Sequence, residues 1–432
     1  MAQPAVSLSL KRNFSWTMMG NLVYAGSQWG ILVVFTKLGR PEMVGQFTLG
    51  LAVTAPIFML TNLQLRQIQA TDAKQLYQFR DYLGLRLLSG QLAVLAVVPI
   101  ALFSGYRWQT MVVVMLLGFA KCLESISDVC YGFLQKHERM DRIALSLMMR
   151  GPLALLFLGL GVWSSGSAIG GVLGLILAWG IVLIGYDLAN ALRLLEAEGP
   201  NSPRRWMELG RLKPNWNIKR LFPLVKLALP LGLVMMLSSL SSNLPNYFTI
   251  ASLGERELGI FNAIAYLMVA GNIIVGALGD SASPRLAKHY ASGDRAAYSL
   301  LLFRLVGIGF VLGAAAVAIA ALGGGTLLSL LYSPDYGERK PLFIALMVAS
   351  GMQYMASFLG YGLTAARYFK TQVPLLSISA VSLAIACYCL IPSKGLMGAA
   401  FALILAAGVQ FCMSLGAIVH AISTQRAHAE AS

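Results

Sequence analysis

The chain has 432 residues, of which 57% are apolar and 12% are charged, and its mean hydropathy is +0.69. Soluble domains carry about twice that share of charged residues, so the composition excludes a soluble protein and indicates one that crosses a membrane several times. The formal net charge of +15 is explained by basic segments that face an anionic lipid leaflet, and nucleic acid is not an expected partner.

Charge-free windows of about 20 residues predict twelve membrane-spanning helices, and therefore an all-α integral membrane fold. The spans are expected near residues 14–36, 43–65, 82–103, 108–134, 142–163, 168–192, 223–249, 257–279, 298–322, 341–365, 372–391 and 396–420. Lys11 and Arg12 precede a first span long enough to remain in the membrane, so no cleaved signal is predicted.

The two halves of the chain echo one another. Residues 38–47, between the first two spans, resemble residues 253–261, between the seventh and eighth. Six spans per half give both halves the same orientation, which predicts two parallel six-helix repeats. The predicted domains are a six-helix bundle at 1–192, a basic cytoplasmic linker at 193–222 and a second six-helix bundle at 223–432.

Basic residues predict the orientation. Most of the lysines and arginines lie in the segments predicted to be on the same side of the membrane as the amino terminus. Seven of them lie between Arg193 and Arg220. Because positive loops stay in the cytoplasm, both termini are expected there.

The fourth span carries charges inside apolar sequence. Lys121, Glu124, Asp128, Tyr131 and Gln135 fall on one face of a helix. Each unpaired charge near a bilayer centre costs at least about 2.5 kcal/mol, so this face is expected to meet other helices or water. Two interpretations stay open: a polar substrate path, or a Lys121–Glu124 pair that only holds helices together.

Polar residues with helical spacing recur in three other spans. They are Asn21 and Gln28 in the first, Asn62, Arg66 and Gln69 in the second, and Asn246 in the seventh. With the charges of the fourth span they predict a hydrated binding cavity, although single amides and hydroxyls often only join helices.

Five further charged residues are expected at the membrane surface. Arg86, Arg150, Lys226 and Arg304 lie within a few turns of cytoplasmic helix ends, from which long side chains reach the headgroups. Asp187, near the inner end of the sixth span, is expected to be interfacial.

Catalytic signals are few. The five cysteines and four histidines lack metal-ligand or disulfide spacing, and no phosphate-binding glycine loop is present. The sequence therefore predicts a protein that is not an enzyme and that needs no cofactor and no metal.

Several motifs carry a family resemblance that extends over nearly the whole chain. They are ESISDVCYGFLQK at 124–136, GQF at 45–47, LQLR at 63–66, and SPRLAK at 283–288 followed by Gly293 and Asp294. In these motifs and their order the chain resembles polysaccharide flippases of the multidrug/oligosaccharidyl-lipid/polysaccharide (MOP) exporter superfamily.

The resemblance implies a V-shaped pair of bundles that moves undecaprenyl-diphosphate-linked oligosaccharide across the bacterial inner membrane by alternating access. The product would be O-antigen, capsule or exopolysaccharide, and the implied partners are the lipid-linked oligosaccharide, the phospholipid bilayer and other polysaccharide assembly proteins. Arg12 is the only arginine at the first span, unlike in lipid II flippases, and that span has no acidic residue, unlike in drug exporters.

A diphosphate needs cations to replace its lost hydration. Arg66 and Lys121 are therefore the expected diphosphate contacts, with Glu124 and Asp128 tuning Lys121 or carrying protons. The alternatives are a small-molecule or drug/cation antiporter and, less favoured, a membrane-embedded glycan polymerase or other enzyme.

Overall fold

The computed structural model describes residues 10–72, 76–197, 213–366 and 368–430, and its regular elements in these ranges are all helices. They are α1 (Leu10–Leu38), α2 (Pro41–Asn62), α3 (Leu65–Thr71), α4 (Phe79–Phe103), α5 (Trp108–Lys136), α6 (Met140–Ser165), α7 (Ala168–Val182), a π-helical turn (Leu183–Asp187), α8 (Leu188–Ala197), α9 (Ile218–Leu253), α10 (Glu255–Ala265), α11 (Met268–Ala291), α12 (Arg295–Leu331), α13 (Pro334–Gly337), α14 (Lys340–Ala365) and α15 (Phe369–Glu430).

Eleven stretches in the described residues are long and apolar enough to cross a membrane. The last of them, Pro374–Ser423, has 50 residues, more than twice what one crossing needs. Its backbone leaves helical geometry at Gly395, where φ is 59° and ψ is −140°. This kink separates the two spans that the sequence predicts at 372–391 and 396–420, so the prediction of an all-helical, multi-pass membrane protein is confirmed.

The chain forms two compact units, Met1–Asn243 and Leu244–Ser432, called here the N-terminal and C-terminal units. The dividing point lies inside α9. Of the linker predicted at 193–222, residues 198–212 lie outside the described part of the chain.

The described end of that linker packs on the first turn of α4. Asp81 accepts hydrogen bonds from Asn215 Nδ2 at 2.6 Å and from Arg220 Nε at 2.9 Å, and its own side chain is 1% exposed. Gly84 allows the backbone carbonyl of Asn215 to approach α4 at a point that a Cβ would block. The start of α9 is thereby held against the N-terminal unit.

Glycines bring helices close in both units. In the N-terminal unit, a Cβ at Gly161 or Gly174 would meet backbone atoms of the neighbouring helix of the α6–α7 hairpin. In the C-terminal unit, Gly313 of α12 and Gly351 of α14 face each other at the same kind of close contact. Small residues at such crossings are typical of helices that associate in lipid.

Candidate functional site

A break between α2 and α3 sets the position of Arg66. Leu63 and Gln64 adopt left-handed backbone conformations, with φ of 53° and 51°, so the second predicted span is not one continuous helix. The new direction lays α3 on α5 at Gly132, where a Cβ would contact the Arg66 backbone. The absence of that Cβ allows α3 to lie within side-chain reach of the charged face of α5.

Asp128 lies between two arginines from different helices. Its carboxylate is 3.2 Å from Nη2 of Arg86 on α4 and 3.6 Å from Nη1 of Arg66 on α3. Arg66 Nε also donates to Gln135 Oε1 at 3.1 Å, and Arg86 Nη1 donates to Asn62 Oδ1. Three helices, α3, α4 and α5, therefore meet at one carboxylate, and α2 joins them through the Asn62 contact with Arg86.

Lys121 and Glu124 form the tightest ion pair of this region. Lys121 Nζ is 2.7 Å from Glu124 Oε2, and the two side chains are 25% and 30% exposed. The other carboxylate oxygen accepts a hydrogen bond from Tyr24 of α1 at 3.4 Å, and Gln28 Nε2 donates to that hydroxyl at 3.1 Å. The pair is thus linked to the first helix through hydrogen bonds.

Arg150 and Asp187 lie deeper in the unit. The Arg150 guanidinium lies 4.2 Å from the centre of the Trp179 ring, and Lys121 Nζ lies 5.9 Å from the same centre. Asp187 accepts a hydrogen bond at 2.6 Å from Ser146, whose hydroxyl also contacts Tyr131 at 2.7 Å. Arg150 and Asp187 are 2% and 0% exposed.

Seven charged residues therefore form what we call the N-terminal ion cluster: Arg66, Arg86, Lys121, Glu124, Asp128, Arg150 and Asp187. Four of them are cations and three are carboxylates, so the cluster has a formal excess of one positive charge. A positively charged, partly exposed surface within membrane helices can bind an anion such as a phosphate group, because the cations replace its hydration.

Six of the nine predicted site residues come together in this region: Gln28, Asn62, Arg66, Lys121, Glu124 and Asp128. The other three are Gln69, Asn21 and Asn246. Gln69 is 1% exposed against Gly132 and its amide has no hydrogen-bond partner among the described residues. Asn21 is exposed, and Asn246 belongs to the C-terminal unit.

Three surface expectations are wrong. Arg86 and Arg150 do not reach the headgroups but are 1% and 2% exposed, and Asp187 is fully buried rather than interfacial. Packing explains the difference: Arg86 is held by Asp128 and Asn62, and Arg150 by the Trp179 ring. Their signal in the sequence is the charge of the fourth span, since its two carboxylates need more cations than Lys121 provides.

Comparisons with known proteins give one consistent answer. A family model described as "Polysaccharide biosynthesis protein" matches residues 10–290. The chain is 27% identical over 399 residues to the capsular polysaccharide biosynthesis protein CapF of Staphylococcus aureus, covering 90% of this chain and 94% of that protein.

Solved structures share the fold. The inward closed conformation of the lipid II flippase MurJ matches with a TM-score of 0.69 at 11% identity, covering 95% of this chain and 89% of that one. An inward-facing multidrug resistance MATE family transporter of the MOP superfamily matches with a TM-score of 0.63 at 14% identity, covering 96% and 98% of the two chains. The fold is therefore that of MOP transporters and flippases.

Proposed function

The chain belongs to the polysaccharide biosynthesis protein family, and from this premise we propose that it is a flippase for undecaprenyl-diphosphate-linked oligosaccharide. It would carry this substrate across the bacterial inner membrane by alternating access, for the synthesis of O-antigen, capsule or exopolysaccharide. Its partners would be the lipid-linked oligosaccharide, the bilayer and other polysaccharide assembly proteins.

The observation that carries the proposal is the excess of cations in the N-terminal ion cluster. A sugar diphosphate cannot pass about 30 Å of hydrocarbon unaided, because its charges would lose water without replacement. Cations fixed inside the bundle supply that replacement, and arginine in particular offers two parallel donors to phosphate oxygens.

Exposure divides the cations into two roles. Arg66 and Lys121 have side chains that are 33% and 25% exposed, so these two can reach a diphosphate outside the packed core. Arg86 is 1% exposed and holds Asp128 in place. We assign substrate contact to Arg66 and Lys121, and assign to Asp128 and Glu124 the task of holding these cations until the diphosphate replaces them.

A drug/cation antiporter is the second candidate, because the MATE fold is shared and Glu124 and Asp128 are partly exposed. Both carboxylates, however, already lie in ion pairs with cations of the chain. A cationic substrate would have to enter a cluster that is itself positive, so this charge balance favours an anionic substrate.

The test compares single and double variants in cells that depend on this protein for surface glycan. Arg66→Gln or Lys121→Gln should abolish or sharply reduce glycan export while membrane abundance stays normal, because glutamine supplies similar length without charge. Sensitivity to cationic drugs measured in the same cells separates the antiporter from the flippase.

The double variant Lys121→Gln/Glu124→Gln is the control for folding, since Lys121→Gln alone leaves Glu124 less compensated. If the double variant inserts normally and stays inactive, the assignment of Lys121 as a substrate contact stands. Full export by the double variant would show that Lys121 only pairs with Glu124, and the assignment would fail.

The proposed orientation has both termini in the cytoplasm, following the basic segments. Reporter fusions after Lys37, Gly105 and Lys394 should report the outer side of the membrane. Fusions after residues 72, 201 and 424 should report the cytoplasm, and two fusions on the wrong side would overturn the arrangement.

A further inference from the structure

Arg150 is the one cation of the N-terminal ion cluster that has no ion pair within the described part of the chain. It is 2% exposed, and its Nε and Nη2 atoms have no hydrogen-bond partner there. In a planar guanidinium these two N–H groups point in parallel from one edge. Through this edge arginine donates two parallel hydrogen bonds to a bidentate acceptor. Neither N–H group of this edge makes a hydrogen bond within normal distance in the described part of the chain, although Tyr131 and Asp187 interact electrostatically with this guanidinium.

Arg86 shows that burial alone does not produce this situation. It is buried to the same extent on α4, yet Nη1 donates to Asn62 and Nη2 to Asp128, so that only its Nε lacks a hydrogen-bond partner among the described residues. The same bundle therefore provides acceptors for one buried arginine and leaves the main binding edge of the other unsatisfied. Buried donors without acceptors are rare in folded proteins and call for an explanation.

Trp179 adds a third donor at the same place. Its Nε1 atom is buried without a partner, and its ring lies against the Arg150 guanidinium at 4.2 Å. An indole N–H can only donate. Since the unsatisfied groups of both residues are donors, the missing partner is an acceptor, and next to a guanidinium an anion is favoured over a neutral acceptor.

We propose that Arg150 and Trp179 form a binding site for a small monovalent inorganic anion, such as chloride or nitrate, inside the N-terminal unit. Burial excludes a lipid-linked headgroup at this point, and one negative charge balances the formal excess of one positive charge in the N-terminal ion cluster. The site is separate from the diphosphate contacts proposed at Arg66 and Lys121, and it does not depend on the identity of the transported substrate.

The test uses the purified full chain in detergent, in gluconate buffer at constant ionic strength. Replacing gluconate stepwise by chloride or nitrate should raise the thermal unfolding midpoint along a saturable curve. Trp179→Phe keeps an aromatic ring and removes the N–H donor. It should weaken anion binding, so that the half-saturating anion concentration rises about tenfold. Arg150→Gln should abolish the saturable response, whereas Arg86→Lys, at the equally buried arginine, should keep it.

If Arg150→Gln does not fold, the Trp179→Phe titration and a bromide-soaked crystal of the natural chain decide the matter. An anomalous bromide peak beside the Arg150 guanidinium supports the site. The proposal is overturned by equal stability in gluconate, chloride and nitrate, by a saturable response that survives Arg150→Gln, or by a crystal without the peak. Water would then be the acceptor for these donors.

Discussion

The two units satisfy their buried polar groups by different chemistry. In the N-terminal unit, ion pairs join α3, α4 and α5 at Asp128. In the described residues of the C-terminal unit, by contrast, no charged side chain is buried, and the ion pairs of Arg256 and Arg339 with Glu257 and Asp335 lie at turns and helix ends. Buried ion pairs between helices are therefore a feature of the N-terminal unit in the described part of the chain.

The C-terminal unit uses tyrosine hydroxyls and backbone carbonyls instead. Tyr298 donates to the carbonyl of Gly362 at 3.0 Å, Tyr332 to that of Ala263 at 2.7 Å, and Tyr354 to that of Met268 at 3.1 Å. Such bonds join helices without burying a charge, which is expensive in a membrane. The helices of the two units are therefore held together by different kinds of polar contact.

The largest effect is expected where the buried arginine of an ion pair is removed. Arg86→Leu leaves Asp128 with only the 3.6 Å contact to Arg66 and removes a donor from Asn62. We expect a destabilisation of about 3 kcal/mol, measured as a lower thermal unfolding midpoint in detergent and as lower membrane abundance.

The matched control is Arg304→Leu in the C-terminal unit, an exposed arginine, for which a change within about 0.5 kcal/mol is expected. Adding Asp128→Asn to Arg86→Leu should recover part of the lost stability, because it removes the uncompensated charge. Equal effects of the Arg86 and Arg304 substitutions would contradict the contrast drawn between the units.

A smaller effect is expected from overpacking the C-terminal unit. A Cβ at Gly313 would collide with the backbone of Gly351, so Gly313→Ala should force α12 and α14 apart and cost about 1 to 3 kcal/mol. Gly323→Ala on the same helix meets nothing within 4 Å and serves as the control. The measurement is again the unfolding midpoint, and a milder effect at Gly313 than at Gly323 would show that the helices relax freely.

The sequence predicts the fold better than the site. Composition and span length are enough to predict an all-helical membrane protein, because each crossing needs about 20 apolar residues. The charges of the fourth span stand out for the same reason. Positions such as 86 and 150 do not, since the same arginine near a helix end either reaches the headgroups or is buried, and only the packing of other helices decides which.

The break after Asn62 could not be predicted for a related reason. Leu63 and Gln64 adopt left-handed backbone conformations, although neither is a glycine or a proline that would indicate a helix break in the sequence. The contact of α3 with Gly132 of α5 favours this geometry, and that contact joins residues far apart in sequence. A single sequence shows the spacing of Asn62, Arg66 and Gln69 but not the tertiary contact that redirects the chain between them.

The smallest effect is expected from one neutral hydrogen bond of the C-terminal unit. Tyr298→Phe removes the donor to the Gly362 carbonyl while keeping the buried ring, so the cost should be about 1 kcal/mol. Glycan export in cells should remain normal, because no charge of the N-terminal ion cluster is disturbed. The matched substitution in the N-terminal unit is Tyr131→Phe. It removes the hydroxyl that is hydrogen-bonded to Ser146, which in turn donates to Asp187. If Tyr298→Phe abolished export at normal membrane abundance and Tyr131→Phe did not, the C-terminal unit would also take part in substrate recognition. The proposal that recognition depends on the N-terminal ion cluster alone would then be wrong.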